Sequence, residues 1–169
     1  MRTAAVAAVL RPGRREPEVL FVRRPQRAGD RWGGHVAFPG GLASAGDGDP
    51  VQTARREALE EVALDLDEPI GALSELVTAQ PGRARPLRVA PFVFVVSASA
   101  QIEPDPREVE EAEWIPISTL VTVRPRTILR RIGRIRAPVR AMPLSIGTLW
   151  GLTYSMVREL VRIASATAK

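Results

Sequence analysis

Three glutamates, Glu57, Glu60 and Glu61, stand at the i, i+3 and i+4 spacing that places side chains on one face of a helix. Like charges so placed repel, at roughly 0.2–0.5 kcal/mol per pair, so the cluster calls for a counter-charge. Arg55 and Arg56 precede it and supply part of one. A divalent cation would supply more, because hard ions such as Mg²⁺ take carboxylate oxygens. An isolated acidic run of this kind reads more readily as a solvated helix face. Here the run follows a Phe38-Pro39-Gly40-Gly41 turn and a glycine-rich loop carrying Asp47, and that context favours the cation.

A helix must position these carboxylates. Asp49-Pro50 is a helix start, with Asp free to accept from the first N–H groups and Pro suited to the first helical position. Gln52 falls three residues after Asp49, which permits a capping box. From Pro50 to Leu64 the chain lacks glycine and is rich in Ala, Arg, Glu and Leu. Val51, Ala54, Ala58 and Val62 form the apolar stripe, leaving the glutamates on the other, exposed side.

The stretch resembles the Nudix box, which runs Gly, five residues, Glu, seven residues, Arg-Glu, an aliphatic, any residue, Glu-Glu, any residue, Gly, an aliphatic. Gly41 stands at the opening glycine, and Arg56 to Leu64 (REALEEVAL) at the closing half. Asp47 replaces the loop Glu, the gap from Asp47 to Arg56 is one residue longer, and Ala63 replaces the late glycine. That last change predicts an ordinary helical turn at Ala63. The longer gap and the Val36-Ala37-Phe38-Pro39-Gly40-Gly41 lead-in resemble the coenzyme A diphosphatase branch, with Trp32 and His35 in place of the branch's His and Gln. The resemblance covers most of the chain, from the first strand to a Trp150-Gly151-Leu152-Thr153-Tyr154 motif leading the last helix. It implies one Nudix domain over residues 1–169, an α/β fold in which an α/β/α sandwich surrounds a mixed β-sheet.

It also implies roles. Mg²⁺ or Mn²⁺ would bridge Glu57 and Glu61, with Glu60 holding a second ion or helping to deprotonate a bound water. The Gly41 carbonyl would be a further metal ligand, beside Gly40 in the turn. Arg56 would orient the carboxylates by pairing with Glu57, and Asp47 would support the loop. The reaction implied is hydrolysis of a diphosphate linkage in a nucleoside diphosphate derivative. Coenzyme A or an acyl-coenzyme A leads, and would give 3′-phosphoadenosine 5′-phosphate and 4′-phosphopantetheine. ADP-ribose, NADH, a dinucleoside polyphosphate or a nucleoside triphosphate is the runner-up. A Nudix-like module that binds a nucleotide or RNA without turnover is the alternative class.

Around this stretch the chain alternates strand-like runs with turns. Thr3 to Leu10, Glu18 to Arg24, His35 to Phe38, Ile70 to Thr78 and Trp114 to Ile117 read as strands. Leu87 to Ala98 is the most apolar run and reads as a buried central strand. Thr148 to Ala166 reads as the last helix. Val123 to Pro143, rich in Arg and Pro, reads as an irregular segment or hairpin over the substrate pocket.

Several side chains have two readings. Arg23 and Arg24 would meet substrate phosphates or end a strand in solvent. His35, the one histidine, would contact a phosphate, act as acid or base, or be a hydrogen-bonded structural residue. Arg83 and Arg85 form a candidate lip for an anionic ligand. Glu110 and Glu111 are candidates for an added metal ligand or base, or are surface acids. Trp32 would stack on a base or anchor its loop.

Composition narrows the classes. With no cysteine, disulfides, Cys-zinc sites and a thiol nucleophile are excluded, which fits a cytoplasmic protein. No apolar run approaches the roughly 20 residues of a bilayer span. The net charge of +5 is carried almost entirely by Arg, which suits phosphate oxygens. Nucleic-acid binding competes for the same charge, but no dedicated motif supports it. A homodimer is compatible with the family, though no residue pattern specifies an interface.

Overall fold

The computed structural model describes residues 2–26, 33–78, 86–132 and 135–167. Trp32, Arg83 and Arg85 lie outside the described residues. Four strands build the frame: β1 (Arg2–Pro12), β2 (Pro17–Arg23), β7 (Leu87–Val95) and β8 (Glu111–Pro116). Between β2 and β7 come the short β3 (Val36–Ala37), β4 (Gly40–Leu42), helix α1 (Pro50–Val62), β5 (Gly71–Ala72) and β6 (Leu76–Thr78). After β8 come α2 (Ile117–Thr122), β9 (Arg126–Ile132), β10 (Ile135–Leu144), β11 (Gly147–Trp150) and α3 (Gly151–Thr167).

The main sheet is mixed. β1 runs parallel to β7 along one edge, with Arg2 opposite Leu87 and Leu10 opposite Val95. β2 runs antiparallel to β8 along its outer edge, from Glu18–Pro116 to Arg23–Glu111. The β1–β2 hairpin itself pairs only at its closed end, Leu10 to Pro12 with Pro17 to Val19. Beyond that the two strands part. β3 pairs with β2 at Val22 and Arg23, and β4 pairs with β1 at Ala4 to Val6. The Phe38-Pro39 step between β3 and β4 is therefore wedged into an opened hairpin, with the Pro39 carbonyl accepting from Ala7 N–H at 2.8 Å. This wedge carries the Gly40-Gly41 turn.

Strand alternation divides the core into two layers. Ala4, Ala8, Val19 and Phe21 face one side, where Met142, Leu149, Met156, Val157 and Leu160 of β10, β11 and α3 cover them. Ala5, Ala7, Val9, Leu20 and Val22 face the other, where Ala54, Ala58 and Val62 of α1 cover them. Alanines along β1 let α1 approach closely. The result is the α/β/α sandwich around a mixed sheet, with β9, β10 and β11 forming an added antiparallel sheet.

The structure changes several expected details. Ile70 to Thr78 is not one strand: β5 and β6 pair separately with β7 across a break at Leu73–Glu75. Leu87–Val95 is the buried central strand expected. The Arg-rich segment is a regular hairpin, β9 with β10 from Arg126–Ala141 to Ile132–Ile135. Thr148 to Trp150 belongs to β11 rather than to the last helix, which begins at Gly151.

The end of α1 differs most. Ala63 is not an ordinary helical residue but adopts the left-handed conformation, φ 56° and ψ 30°. The reversal lets Ala63 N–H reach the Leu59 carbonyl at 3.1 Å and Leu64 N–H reach Ala58 at 3.3 Å. It also turns Leu64 and Leu66 into the core. A left-handed alanine costs about 1–2 kcal/mol, and glycine offsets part of this at the expense of unfolded-state entropy. Ala63→Gly should therefore stabilise the protein by about 0.5–1 kcal/mol, read as a higher denaturant midpoint with an unchanged slope. A lower midpoint would contradict this account of the helix end.

Candidate active site

The N-terminus of α1 is fixed locally. Asp49 accepts from Gln52 N–H at 2.8 Å, and Gln52 Oε1 accepts from Gly48 N–H at 3.0 Å. The reciprocal arm of the cap thus reaches one residue upstream of the capping aspartate.

From there the helix places its three glutamates in different surroundings. Glu60 is half exposed. Glu57 is largely buried, and Glu61 is only 1% exposed. The expectation that these carboxylates share an exposed face fails for Glu61, because the wedge between β1 and β2 lies over it. Gly40 N–H donates to Glu61 Oε2 at 3.0 Å, and Arg24 Nη1 approaches Glu61 Oε1 at 3.5 Å.

The two turn glycines have separate reasons to be glycine. Gly40 has φ +156°, and a Cβ there would meet the Ala5 carbonyl oxygen at 2.5 Å. At Gly41 a Cβ would lie 2.5 Å from both carboxylate oxygens of Glu57. The turn backbone thus lies directly against two of the glutamates.

Arg56 organises the polar side. Its Nη1 donates to Glu57 and Glu60, each at 2.9 Å. Its Nη2 donates to the Leu42 carbonyl at 3.1 Å. Its Nε and Nη2 grip Asp47 at 3.0 and 3.1 Å, and Asp47 also accepts from Ser44 N–H and Thr53 Oγ1. The Arg56 fork holds the Asp47 carboxyl well below the usual carboxylate range, and Asp47 in turn raises the guanidinium further. Asp47 therefore ties the loop to Arg56.

A further acid arrives from the loop after β7. That loop docks on the end of α1: Glu103 N–H donates to the Val62 carbonyl and Asp105 N–H to the Glu61 carbonyl, both at 3.0 Å. These bonds satisfy carbonyls that a helix end leaves without partners. Asp105 then turns the chain, accepting from Glu108 and Val109 N–H at 2.9 and 2.8 Å through its carbonyl. The turn sends Val109 into the core and brings Glu108 to α1. Carboxylate oxygens of Glu57, Glu61 and Glu108 lie within 4.8 Å of one another.

Glu108 is the residue that the sequence reading missed. Glu110 and Glu111, read as candidates, face Arg23 instead, at 3.6 and 2.7 Å. Arg23 is accordingly engaged by acids, while Arg24 reaches the buried glutamate. The signal for Glu108 was the Asp105-Pro106 pair, a turn initiator. Sequence alone does not show that this turn is fastened to the end of α1. His35 lies across the β2–β3 ladder from Arg24, its carbonyl accepting Arg24 N–H at 3.1 Å. Its ring packs on Trp150, centroids 4.6 Å apart.

Burial pushes the Glu61 carboxyl up to about 8, helped by Glu57 and Glu108 and opposed by Gly40 N–H and Arg24. Burial also raises Glu57, with Arg56 pulling the other way. Three crowded carboxylates of this kind are a donor set of hard oxygens alone, which fits a divalent cation such as Mg²⁺, Mn²⁺ or Ca²⁺.

The NUDIX domain family matches residues 1–132. The chain belongs to the Nudix family. It is 36% identical over 161 residues to an uncharacterized protein of Schizosaccharomyces pombe, covering 89% of this chain and 49% of that protein. It is 30% identical over 154 residues to the human mitochondrial coenzyme A diphosphatase, covering 89% of this chain and 64% of that one. The chain thus spans about half to two thirds of the length of these two relatives. The crystal structure of a C. elegans Ap4A hydrolase binary complex superposes with a TM-score of 0.64, covering 98% of this chain and 99% of that one at 15% identity, a likeness of fold. Among the described residues, no helix of this Nudix chain is long and apolar enough to cross a membrane.

The raised Glu61 carboxyl sets a pH dependence. Between the ordinary carboxylate value and about 8, the folded metal-free protein holds a proton that the unfolded chain has released. Stability should then be highest in mild acid and fall as pH rises through that window. Added Mg²⁺ should reverse the trend, because a cation binds the ionised carboxylates. Thermal melts from pH 5 to 8.5 in EDTA and in Mg²⁺ test this, and Glu61→Gln should flatten the EDTA curve. An EDTA curve that rises with pH would contradict it.

Proposed function

We propose that this chain is a divalent-cation-dependent hydrolase of diphosphate linkages in nucleoside diphosphate derivatives, with coenzyme A or an acyl-coenzyme A as its leading substrate. The carrying observation is the Glu57, Glu61 and Glu108 cluster held against the Gly40-Gly41 turn. A diphosphate is an anion, and hydroxide approaches it against electrostatic repulsion. Mg²⁺ or Mn²⁺ held by these carboxylates supplies neutralisation of phosphate oxygens and acidification of a bound water.

The chain's own residues set that site's geometry. Gly40 N–H and Arg24 orient the two oxygens of Glu61. Arg56 holds Glu57 and is itself held by Asp47. Glu60, exposed and shared with Arg56, stands outside the cluster; it is placed to meet a second cation or to take the water's proton. The Gly41 carbonyl is the proposed backbone ligand, since this glycine lies against the Glu57 carboxylate.

Two features support coenzyme A within the wider class: the Val36-to-Gly41 lead-in and the likeness to a human coenzyme A diphosphatase. The substrate is an anion and the chain carries a surplus of Arg, so their attraction is general.

A hydrolysis panel in Mg²⁺ and Mn²⁺, with products identified by mass, tests the proposal. It would compare coenzyme A, acetyl-coenzyme A, NADH, ADP-ribose, a diadenosine polyphosphate and nucleoside triphosphates. We expect coenzyme A to give 3′-phosphoadenosine 5′-phosphate and 4′-phosphopantetheine. Glu61→Gln should lower kcat by about 10²–10⁴-fold. Preference for another diphosphate would retain the hydrolase and replace its substrate. Silence across the panel with cation bound, or full activity in Glu61→Gln, would overturn the proposal.

A further inference from the structure

We infer that Trp150 and Arg130 form the subsite for the nucleobase of the substrate, Trp150 offering the stacking face and Arg130 closing over it. The inference rests on the reading of the substrate as a nucleoside diphosphate derivative and adds the residues that would recognise its nucleoside.

The position comes first. Trp150 ends β11 opposite Ala141 of β10, and Arg130 sits on β9 opposite Ala137. The neighbouring Leu149 is fully buried and does the packing, while Trp150 stays partly open. The Arg130 guanidinium lies over the Trp150 ring, 5.3 Å from its centroid, and the His35 ring packs against the same indole. His35 is one rung from Arg24 in the β2–β3 ladder, and Arg24 reaches Glu61. An aromatic face is therefore linked to the carboxylate cluster in three steps: the His35 ring on Trp150, the backbone hydrogen bond between His35 and Arg24, and the Arg24–Glu61 contact.

The polar atoms there lack partners. Arg23, Arg24 and Arg130 each have an Nε shielded from solvent with no hydrogen-bond acceptor, three of the five such side-chain atoms among the described residues. Arg23 lies by Gly147 and Arg130 over Trp150, both residues of β11, while Arg24, next along the chain, turns to Glu61 of α1. Gly147 of β11 packs against Val36, and a Cβ there would also lie 3.7 Å from Arg23 Cδ. Arg130 has no carboxylate partner among the described residues, and no Asp or Glu occurs from Trp114 to Arg158. Shielded donors without acceptors are costly, and a ligand that brings anionic oxygens supplies what they lack.

A half-buried indole beside a guanidinium with no carboxylate partner suits the base of a nucleotide. The base takes the aromatic face, a contact every base can make through its π-face. The guanidinium stacks on the base's other side or meets a ribose phosphate. At 5.3 Å the guanidinium stands too close to the indole for a base to lie between them, so Arg130 must swing out as the base enters. It is carried on β9, the edge strand of the added sheet. A ligand lacking a base would gain nothing from Trp150.

Equilibrium binding separates this claim from turnover. The probes are AMP and 3′-phosphoadenosine 5′-phosphate, which carry a base, and 4′-phosphopantetheine, which does not. Titration calorimetry on the full chain in Ca²⁺ would compare wild type with Trp150→Ala, Trp150→Phe and Arg130→Gln. We expect Trp150→Ala to weaken both adenosine nucleotides about tenfold or more, with Trp150→Phe restoring most of the loss. Arg130→Gln should weaken them likewise, and binding of 4′-phosphopantetheine should not change. Arg130 lies outside the buried core, so its variant remains informative even if Trp150→Ala fails to fold. Wild-type protein that binds neither nucleotide, or variants that bind them as wild type does, would overturn the inference. Failure of the hydrolysis panel with intact, Trp150-dependent nucleotide binding would instead count against the catalytic reading alone.

Discussion

Burial of a carboxylate organises this molecule. Glu61 sits under the wedge that β3 and β4 drive between β1 and β2, with one oxygen on Gly40 N–H and the other facing Arg24. An isolated buried carboxylate is costly, and here two more acids stand close by. Much of the surrounding structure makes that arrangement possible. The alanines of β1 let α1 come close, the turn glycines allow backbone against carboxylate, and the Asp105 turn carries Glu108 in from behind. The crowding that disfavours ionised carboxylates in the metal-free protein is what suits this donor set to a small, highly charged cation.

Arg56 and Asp47 show how the same charges are kept in order. One guanidinium reaches two glutamates, an aspartate and a backbone carbonyl. Only the planar fork of Arg can serve so many acceptors at once. Asp47 stands where the family has a Glu, and the loop is one residue longer; the shorter side chain still meets Arg56 and also caps Ser44 N–H. The departure from the family pattern keeps the tie between loop and helix.

The fold and half of the site were legible in the sequence because they rest on local spacing. The cap at Asp49, the stripe of Ala54, Ala58 and Val62, and the glutamates of α1 are all read within one helix. What escaped depends on contacts between distant segments. Glu61 looked exposed, since helical periodicity says nothing of a turn folded over the polar face. Glu108 was passed over for Glu110 and Glu111, because docking of its loop on the Val62 and Glu61 carbonyls has no local signature. Ala63 reads as a helix former, yet the chain reversal that buries Leu64 and Leu66 forces it into a conformation better suited to glycine. Trp150 falls within the Thr148 to Ala166 span that reads as the last helix, and stands instead at a strand end beside His35.

The direct test of this account is where the cation binds. Mn²⁺ titration followed by electron paramagnetic resonance would compare wild type, Glu108→Gln and Glu60→Gln at pH 8. The cluster of Glu57, Glu61 and Glu108 predicts that Glu108→Gln weakens the tight Mn²⁺ site by about tenfold or more, and that Glu60→Gln leaves it nearly unchanged. Tight binding that survives Glu108→Gln and is lost in Glu60→Gln would show that the cation sits on the exposed side of the helix, and would contradict the account.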